Sequence, residues 1–373
     1  MPATATTTQV AIDRIHVSAY KIPTDQPEAD GTIAWDSTTL VLVEIEGGGH
    51  TGLGYTYADE ATAHLIHDNL TKKIEGRDVM NIPGTWVEMV KAIRNLGRPG
   101  VASMAISAVD CALWDLKCRL VDLPLLSLLG AAHDSVPIYG SGGFTSYAND
   151  KLQQQLGGWA EQGISRVKMK IGTHPDNDLN RVRAARKAVG EEVELFVDAN
   201  GAFSRKQALA FAHRLHEELG VVWFEEPVSS DDLAGLNLIR NQGPGGMDIA
   251  AGEYGYDLHY FHRMLDAEAV DVLQADVTRC GGVTSFLQVG ALCSSHCLEL
   301  SAHCAPSESV HACAAIIPLR PMEYFHDHVR IEHMLFDGVL SPEKGALHPD
   351  LSRPGMGLEF KHADAERYLI WKS

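Results

Sequence analysis

The sequence predicts an α/β protein in which a barrel of parallel strands and helices follows an N-terminal α+β segment. After Val136, short apolar runs alternate with amphipathic helical stretches, a rhythm typical of parallel β/α units. Most of these runs also end in a polar residue capable of chemistry. Seven or eight such units over roughly 200 residues fit a (β/α) barrel, which typically has about 250 residues. A doubly wound sheet is the alternative, but no Gly-rich phosphate loop follows an early strand.

The composition is that of an ordinary globular protein and excludes some function classes. The 373 residues are 45% hydrophobic and 21% charged. The net charge of −18 argues against nucleic acid or an anionic membrane as the main partner. No apolar run approaches the length of a membrane span, and residues 1–8 lack the basic and apolar parts of a signal peptide. We therefore expect a cytoplasmic protein whose seven cysteines are buried, reduced thiols.

The N-terminal segment is expected to be β-rich and then helical. Residues 10–20 alternate loosely, 38–46 are rich in β-branched residues, and 51–57 can return as a hairpin partner. Residues 60–129 have a helical pattern, which is clearest over 102–120.

Between the first two strands lies a polar stretch, residues 23–36, which is predicted to be a long loop. Such a loop is a candidate lid over a site, with Gly31 as its hinge. It offers Asp25, Asp30, Trp35 and Asp36, which suit a substrate rich in hydroxyl groups better than an aryl ring.

The barrel prediction covers residues 131–340, after an N-terminal domain of residues 1–130. The apolar runs are 136–139, 167–171, 193–197, 221–224, 249–251, 270–273 and 298–301. The helical stretches between and after them are 178–189, 205–219, 231–242, 256–267, 282–296 and 310–316. Residues 341–373 lack this rhythm and are expected to return and pack on the N-terminal domain.

Polar residues follow the strands at intervals of about one β/α unit. They are Lys168 and Lys170, then Asp198, Glu225, Glu253, Asp276, His303 and Glu323. The steps from Lys170 are 28, 27, 28, 23, 27 and 20 residues. Because a barrel places the carboxyl ends of all its strands on one rim, these side chains should surround one pocket.

Three of these residues, Asp198, Glu225 and Glu253, would bring carboxylates together from three adjacent strands. They could not all stay ionised without a cation, and an all-oxygen ligand set favours Mg²⁺. Zn²⁺ would more often recruit His or Cys. The alternative is a set of separate salt bridges at the rim. The neighbour of Glu225, Glu226, is ambiguous, since only one of the two need face the metal.

The other rim residues are cations and a histidine–aspartate pair. Alternation puts Lys168 and Lys170 on the same face of their strand, where each should depress the other's pKa and suit one of them to act as a base. A carboxylate at Asp276 would fix the tautomer of His303 and make it a better base. Exposed lysines and a structural histidine are the alternatives. The next histidine along the Lys170 loop, His174, is a candidate for substrate contact.

This pattern resembles the enolase superfamily, mandelate racemase subgroup. The resemblance covers about residues 10–360 and rests on six motifs and the helix 105–117. The motifs are Lys168-Met-Lys-Ile-Gly, Asp198-Ala-Asn, Glu225-Glu-Pro, Gly252-Glu, Asp276 followed by Gly281-Gly-Val-Thr, and Ser301-Ala-His. Related branches that carry a lysine at the end of strand six are disfavoured, because that position holds Asp276.

The resemblance implies a modified (β/α)₇β barrel under an N-terminal α+β capping domain. It implies Mg²⁺ on Asp198, Glu225 and Glu253. The catalytic residues it implies are Lys170 as one base, the His303–Asp276 pair as the opposite acid/base, Lys168 beside the bound carboxylate, and Glu323 near it. Our candidates for substrate binding are Asn200, His174 and Trp35. A homo-oligomer is common in the family and is expected here.

The expected activity is Mg²⁺-dependent dehydration of a hydroxy carboxylic acid, an aldonate or aldarate, to a 2-keto-3-deoxy acid. Removing the proton α to a carboxylate gives an enediolate, which needs a metal and cationic neighbours to exist. The alternative is a racemase or epimerase of a 2-hydroxy acid that uses the same two bases. A catalytically inactive barrel that acts as a scaffold is the remaining alternative, and metal content would separate it.

Overall fold

The computed structural model describes residues 9–373, and its chain folds into an N-terminal sheet-and-helix domain and a barrel. The prediction for residues 1–8 lies outside the described part. The N-terminal sheet is antiparallel, and the C-terminal strand β15 (Leu369–Lys372) lies beside its first strand, so that the order is β15-β1-β2-β3. Its elements are β1 Arg14–Ala29, β2 Ala34–Gly47, β3 His50–Tyr57, α1 Ala61–Leu65, a π-helical turn Ile66–Leu70, α2 Thr71–Ile74, α3 Ile82–Ala92, α4 Val101–Leu120 and α5 Leu125–Leu129.

Helix α4 lies directly on β3, and two glycines make this close approach possible. A Cβ atom at Gly52 would lie 2.3 Å from the backbone nitrogen of Leu116, and one at Gly54 would lie 2.4 Å from the carbonyl oxygen of Ala108. Side chains there would push the helix away from the sheet, so the sequence Gly-Leu-Gly in β3 permits the tight packing of the domain's core.

The stretch 23–36 is not a loop, which corrects the sequence prediction. Strands β1 and β2 continue through it as a hairpin, with Glu28 opposite Trp35 and Ala29 opposite Ala34 after a register irregularity that begins at Pro23. We call residues 23–36 the hairpin arm. Its polar composition does not prevent pairing, because the strands find partners in each other.

The tip of the hairpin arm docks on the barrel rim. The hydroxyl groups of Thr145 and Thr173 donate to the carbonyl oxygen of Asp30, at 2.8 and 2.6 Å. At Gly31, a Cβ atom would lie 2.2 Å from the carbonyl oxygen of Ala199. The glycine therefore allows a close backbone approach, where the sequence suggested a hinge.

The barrel has eight parallel strands, β4–β11, and this confirms the predicted fold class. They pair in the order β10-β9-β8-β7-β6-β5-β4-β11. A parallel bridge between Leu300 and Leu319 brings β10 to the segment before β11. The strands are β4 Val136–Gly142, β5 Arg166–Lys170, β6 Glu194–Asp198, β7 Val221–Glu225, β8 Asp248–Ala251, β9 Val272–Ala275, β10 Glu299–Ala302 and β11 Met322–Phe325.

Seven helices connect the eight strands, and an eighth helix follows β11. They are α6 Asn149–Glu161, α7 Pro175–Val189, α8 Arg205–Leu219, α9 Leu233–Gln242, α10 Leu258–Asp266, α11 Gly282–Ser295, α12 Pro306–Ala315 and α13 His326–Leu335. The sequence prediction missed α6, whose stretch contains three Gln and two Gly residues but buries Leu152, Leu156 and Trp159 on one face.

The C-terminal residues form short elements that contact both parts of the chain. They are β12 Phe336–Asp337, β13 Ala346–Leu347, β14 Glu359–Phe360, α14 His362–Ala365, a 3₁₀ turn Glu366–Tyr368 and β15 Leu369–Lys372. Strand β13 pairs with β4, and β15 pairs with β1. The boundaries 1–130, 131–340 and 341–373 stay a prediction.

Two expectations from composition can be compared with the described residues. Within residues 9–373, no helix combines the length and the apolar character needed to cross a bilayer. All seven cysteines are free, and six are buried, but Cys297 is exposed. It follows α11 in a turn with φ 57°, so the expectation of buried thiols is wrong at this position.

A buried carboxylate joins the two domains by capping a barrel helix. Asp110 of α4 accepts hydrogen bonds from the backbone nitrogen (2.9 Å) and the hydroxyl group (2.7 Å) of Thr284, in the first turn of α11. Asp110→Ala should lower the free energy of unfolding by about 1–3 kcal/mol, because these donors would lose their acceptor in a buried place. Denaturant titration measures this. Asp68→Ala, at an exposed site, should change it by less than about 0.5 kcal/mol, and equal effects would contradict the capping role.

Candidate active site

A cavity of about 380 Å³ lies at the carboxyl end of the barrel, between the rim and the N-terminal domain. Its lining residues come from the hairpin arm, β2, the end of β3, the ends of barrel strands and α13. They are Asp30, Ile33, Trp35, Ser37, Thr38, Thr39, Tyr57, Ala58, Asp59, Lys170, Asn200, Glu253, Tyr254, Arg279, His303, Cys304, Phe325 and His328. This is the usual location of an active site in a barrel enzyme.

Three carboxylates converge beside this cavity. Parallel register places Asp198, which ends β6, next to Glu225, which ends β7. Glu253 follows β8 by way of Gly252, whose φ of 137° turns the chain at the rim. One oxygen of each carboxylate lies within 4.8 Å of the others, and all three side chains are buried.

This donor set fits a hard divalent cation. Burial, and then the neighbouring Asp198, raise the pKa of Glu225 to about 8, so the carboxylates resist being ionised together. A cation bound between them would remove this repulsion, and oxygen ligands suit Mg²⁺. Glu226 has a different position from Glu225. It is buried with φ 39°, and only Glu225 of the pair shares the cluster with Asp198 and Glu253.

The two lysines lie against these carboxylates. The ammonium nitrogen of Lys170 is 2.5 Å from Asp198 Oδ2, and that of Lys168 is 2.6 Å from Glu225 Oε1. Burial acts to lower the pKa of Lys170, but Asp198 outweighs it, and the pKa is raised overall. The pKa of Lys168 is also raised, because Glu225 and Glu323 outweigh burial. Lys168 lowers the pKa of Lys170, as expected from their like charge, but the paired Asp198 outweighs this effect.

His303 is held by Asp276, as the sequence pattern suggested. Its Nδ1 lies 2.8 Å from Asp276 Oδ2, while Thr278 donates to the other oxygen of Asp276 from its backbone and its hydroxyl group, both at 2.7 Å. The other ring nitrogen, Nε2, lies 3.2 Å from Glu253 Oε2. Burial acts to lower the pKa of His303, but Cys304 and Glu253 outweigh it, and the pKa is raised overall.

Glu323 lies between the lysine side and the histidine side of the site. Its Oε1 is 2.8 Å from Lys168 Nζ and accepts from Ser141 Oγ at 2.6 Å, while its Oε2 is 3.5 Å from His303 Nε2. The side chain is buried, and Lys168 and His303 outweigh the effect of burial and hold its pKa well below the usual range. An ionised carboxylate therefore couples the two sides.

The three candidates for substrate binding have different positions. Trp35 and Asn200 line the cavity. His174 lies at the amino end of α7, is exposed and is not among the lining residues. The structure thus brings two of the three to the site.

Sequence reasoning missed several cavity residues. Arg279 lines the cavity 3.4 Å from Asp276 and 3.7 Å from Glu253, and Cys304 Sγ is 3.3 Å from His303 Nε2. Both lie within three residues of a predicted site residue, which was the available signal. His328 was missed as well; it stacks on Tyr57, at 3.5 Å between ring centroids, and the two come from distant parts of the chain. No sequence signal connects them.

The capped barrel, with its rim of carboxylates, lysines and a histidine–aspartate pair, defines a barrel protein of the enolase type. Residues 151–365 match the family described as "Enolase C-terminal domain-like", and residues 16–130 match "Mandelate racemase / muconate lactonizing enzyme, N-terminal domain". The chain belongs to this family, the mandelate racemase subgroup of the enolase superfamily, which confirms the resemblance predicted from the sequence.

Curated relatives include enzymes that act on sugar acids. The chain is 30% identical over 359 residues to L-talarate/galactarate dehydratase of Salmonella typhimurium, covering 92% of this chain and 88% of the relative. It is 33% identical over 360 residues to 3,6-anhydro-alpha-L-galactonate cycloisomerase of Streptomyces coelicolor, covering 93% and 96%. The predicted enzyme class, a hydro-lyase, agrees with the first of these names.

Solved structures agree with the fold over nearly the whole chain. A mandelate racemase/muconate lactonizing enzyme-like protein from Rubrobacter xylanophilus is 56% identical with a TM-score of 0.95, covering 96% of this chain and all of that one. L-Talarate dehydratase from Polaromonas sp. JS666, complexed with Mg and L-glucarate, is 30% identical with a TM-score of 0.87, covering 98% of both chains.

Proposed function

We propose that this protein is a Mg²⁺-dependent dehydratase of a polyhydroxy carboxylic acid, an aldonate or aldarate, and that its product is a 2-keto-3-deoxy acid. One observation carries the proposal: Lys170 and His303 line the same cavity from β5 and β10, with the carboxylate-bearing strands β6–β8 between them. A substrate in the cavity would therefore present one face to each residue. The sugar-acid relatives support the substrate class.

Asp198, Glu225 and Glu253 would hold the Mg²⁺. Their convergence and their burial support this assignment, as does the magnesium in the Polaromonas structure. The bound ion would neutralise the charge that develops on the substrate carboxylate when the α-proton leaves.

In this scheme Lys170 takes the α-proton. It must be neutral to do so, and its partner Asp198 now favours the charged form. If Asp198 were bound to a cation, its negative charge would attract the ammonium group less strongly. The neutral amine of Lys170 would then form more readily. Lys168, paired with Glu225 and Glu323, stays charged and stabilises negative charge on the substrate.

His303 acts on the other face as the acid. Its Nδ1 pairs with Asp276, so Nε2, on the other side of the ring, is the nitrogen that gives a proton to the substrate. When the α C–H and β C–O bonds break, the β-hydroxyl takes this proton and leaves as water. The remaining enol tautomerises to the 2-keto acid, which completes the balance of atoms and charge.

The cavity wall opposite the barrel supports a substrate rich in hydroxyl groups. It carries Asp30 and Asp59 with the hydroxyl-bearing Ser37, Thr38 and Thr39. Such groups exchange hydrogen bonds with a polyol chain.

The test is a panel of acid sugars incubated with the protein and Mg²⁺, with 2-keto acid formation as the readout. At least one member should give a product that depends on Mg²⁺. Recovery of inverted substrate without a keto product would favour the racemase or epimerase, which needs the same two bases. If no acid sugar in the panel is dehydrated or inverted, the proposal is contradicted. A homo-oligomer also stays a prediction.

The docked hairpin arm makes a prediction about substrate affinity. Gly31→Ala would place a Cβ atom against two backbone oxygens, at 2.2 Å from Ala199 and 2.7 Å from Ile171, and the arm must move away. We expect a cost of about 1–3 kcal/mol, which corresponds to a rise in KM of about 5- to 150-fold. Proteolysis of the arm should become faster.

The control is Gly158→Ala in α6, where a Cβ atom meets no neighbour. It should leave KM and proteolysis unchanged. If protease cuts the hairpin arm of Gly31→Ala no faster than that of the parent, the arm is not held by this docking contact.

A further inference from the structure

A second group of potential metal ligands lies outside the cavity, where the hairpin arm meets the end of β11. Asp25 and Glu28 come from the arm, and His326 begins α13. One ligand atom from each lies within 4.8 Å of the others, and His326 Nε2 is 3.2 Å from Asp25 Oδ2. Atoms bound to one transition-metal ion lie about 3–4 Å apart, since each bond is about 2 Å long. A small closure would bring the three side chains to that spacing.

The carboxyl group of Glu28 lacks a partner suited to a buried charge. The residue is 0% exposed. Its Oε2 accepts from Trp35 Nε1 at 2.9 Å, but its Oε1 is buried and has no hydrogen-bond partner among the described residues. Burial raises the pKa of Glu28 to about 8. A buried carboxyl oxygen without a hydrogen-bond partner would be stabilised by a bound cation or a proton donor.

The neighbouring charges do not supply that cation. Arg330 bonds to Asp327 and to the carbonyl oxygen of Pro23, and Asp327 also accepts from Thr38 Oγ1. Arg330 and Asp327 thus balance each other. If both carboxyl groups were ionised, Asp25 and Glu28 would face His326, and a bound cation would balance their negative charge.

We propose that Asp25, Glu28 and His326 form a second metal site, selective for a divalent transition-metal ion such as Zn²⁺ or Co²⁺ over Mg²⁺. An imidazole with two carboxylates suits these ions, whereas Mg²⁺ prefers oxygen ligands and water. Asp25 and His326 are partly exposed, so an ion can enter from solvent. The site joins the arm to the barrel, and Glu28 connects it to Trp35 in the cavity wall.

The experiment adds Co²⁺ to the full-length protein in excess Mg²⁺, which on the proposed function would occupy the carboxylate cluster at Asp198. Isothermal titration counts the ions bound, and limited proteolysis reports on the arm. We expect the parent to bind one more Co²⁺ ion than the variants Asp25→Asn and His326→Gln. If a variant still binds Co²⁺ at the second site, its affinity there should be at least about tenfold lower than that of the parent. Co²⁺ should slow cleavage of the arm in the parent and not in the variants.

The matched control is His262→Gln, which disrupts the exposed group formed by His262, Asp266 and His296, another place where three ligand atoms meet. It should keep the slowing of arm cleavage by Co²⁺. Loss of the Asp25–His326 hydrogen bond alone would speed cleavage with and without metal, so the Co²⁺ dependence is the diagnostic. Equal Co²⁺ binding in the parent, Asp25→Asn and His326→Gln would overturn the proposal. No substrate is used, so that result would leave the proposed dehydratase standing.

Discussion

Turnover should fall by about a thousandfold or more in Lys170→Ala, and by a similar factor in His303→Asn, because each change removes a positioned proton-transfer group. Both side chains line one cavity, and neither has a substitute there in the same position. The measurement is steady-state turnover with an acid sugar that the parent dehydrates. Melting temperatures of the variants should accompany it, since Lys170 pairs with Asp198, and His303 pairs with Asp276.

Matched controls separate catalysis from general damage. Lys187→Ala and His50→Asn change exposed residues of the same types outside the cavity, and they should keep turnover within about twofold. In D₂O, a variant that lacks one base can still replace the α-proton by deuterium in the substrate configuration whose α-proton faces the remaining base. If His303→Asn keeps full turnover, the two-base scheme is wrong. If inverted substrate accumulates without a keto product, the racemase alternative holds.

Loss of the metal should have an equally large effect. EDTA should abolish activity and Mg²⁺ should restore it, because the charge on a deprotonated substrate has no other divalent counterion. Asp198→Ala should lose both the bound Mg²⁺ and at least about a thousandfold in turnover. Metal analysis of the purified protein and Mg²⁺ titration measure the two losses.

Replacement of Asp198 also leaves Lys170 without its nearest carboxylate. Breaking a buried pair in this way costs about 3–5 kcal/mol. The isosteric Asp198→Asn therefore serves as the second variant, with thermal unfolding as the check on folding. Asp176→Ala, at an exposed position of α7, should keep both metal and activity. Active parent protein that holds Zn²⁺ and is not rescued by Mg²⁺ would contradict the three-carboxylate assignment.

Much of the barrel could be predicted because its signals are local. Strand–helix alternation repeats along the chain, and parallel strands place their carboxyl ends on one rim whatever the details of packing. The positions of Lys170, Asp198, Glu225, Glu253, Asp276 and His303 at strand ends therefore predicted the cluster that the structure shows. The hairpin arm was missed because its polar strands gain their stability from pairing with each other and from docking on the rim, neither of which leaves an apolar pattern.

The sequence alone determined the family, the fold class and the set of residues around the rim, because these depend on spacing and residue type. Only the tertiary structure decided which groups touch and how they affect one another. It placed the ammonium group of Lys170 against Asp198, whose opposite charge outweighs the effect of Lys168 and raises the pKa of Lys170 overall. It also brought Arg279 and Tyr57 into the cavity and left His174 outside it. Such distances are set by packing between segments that are far apart in the chain.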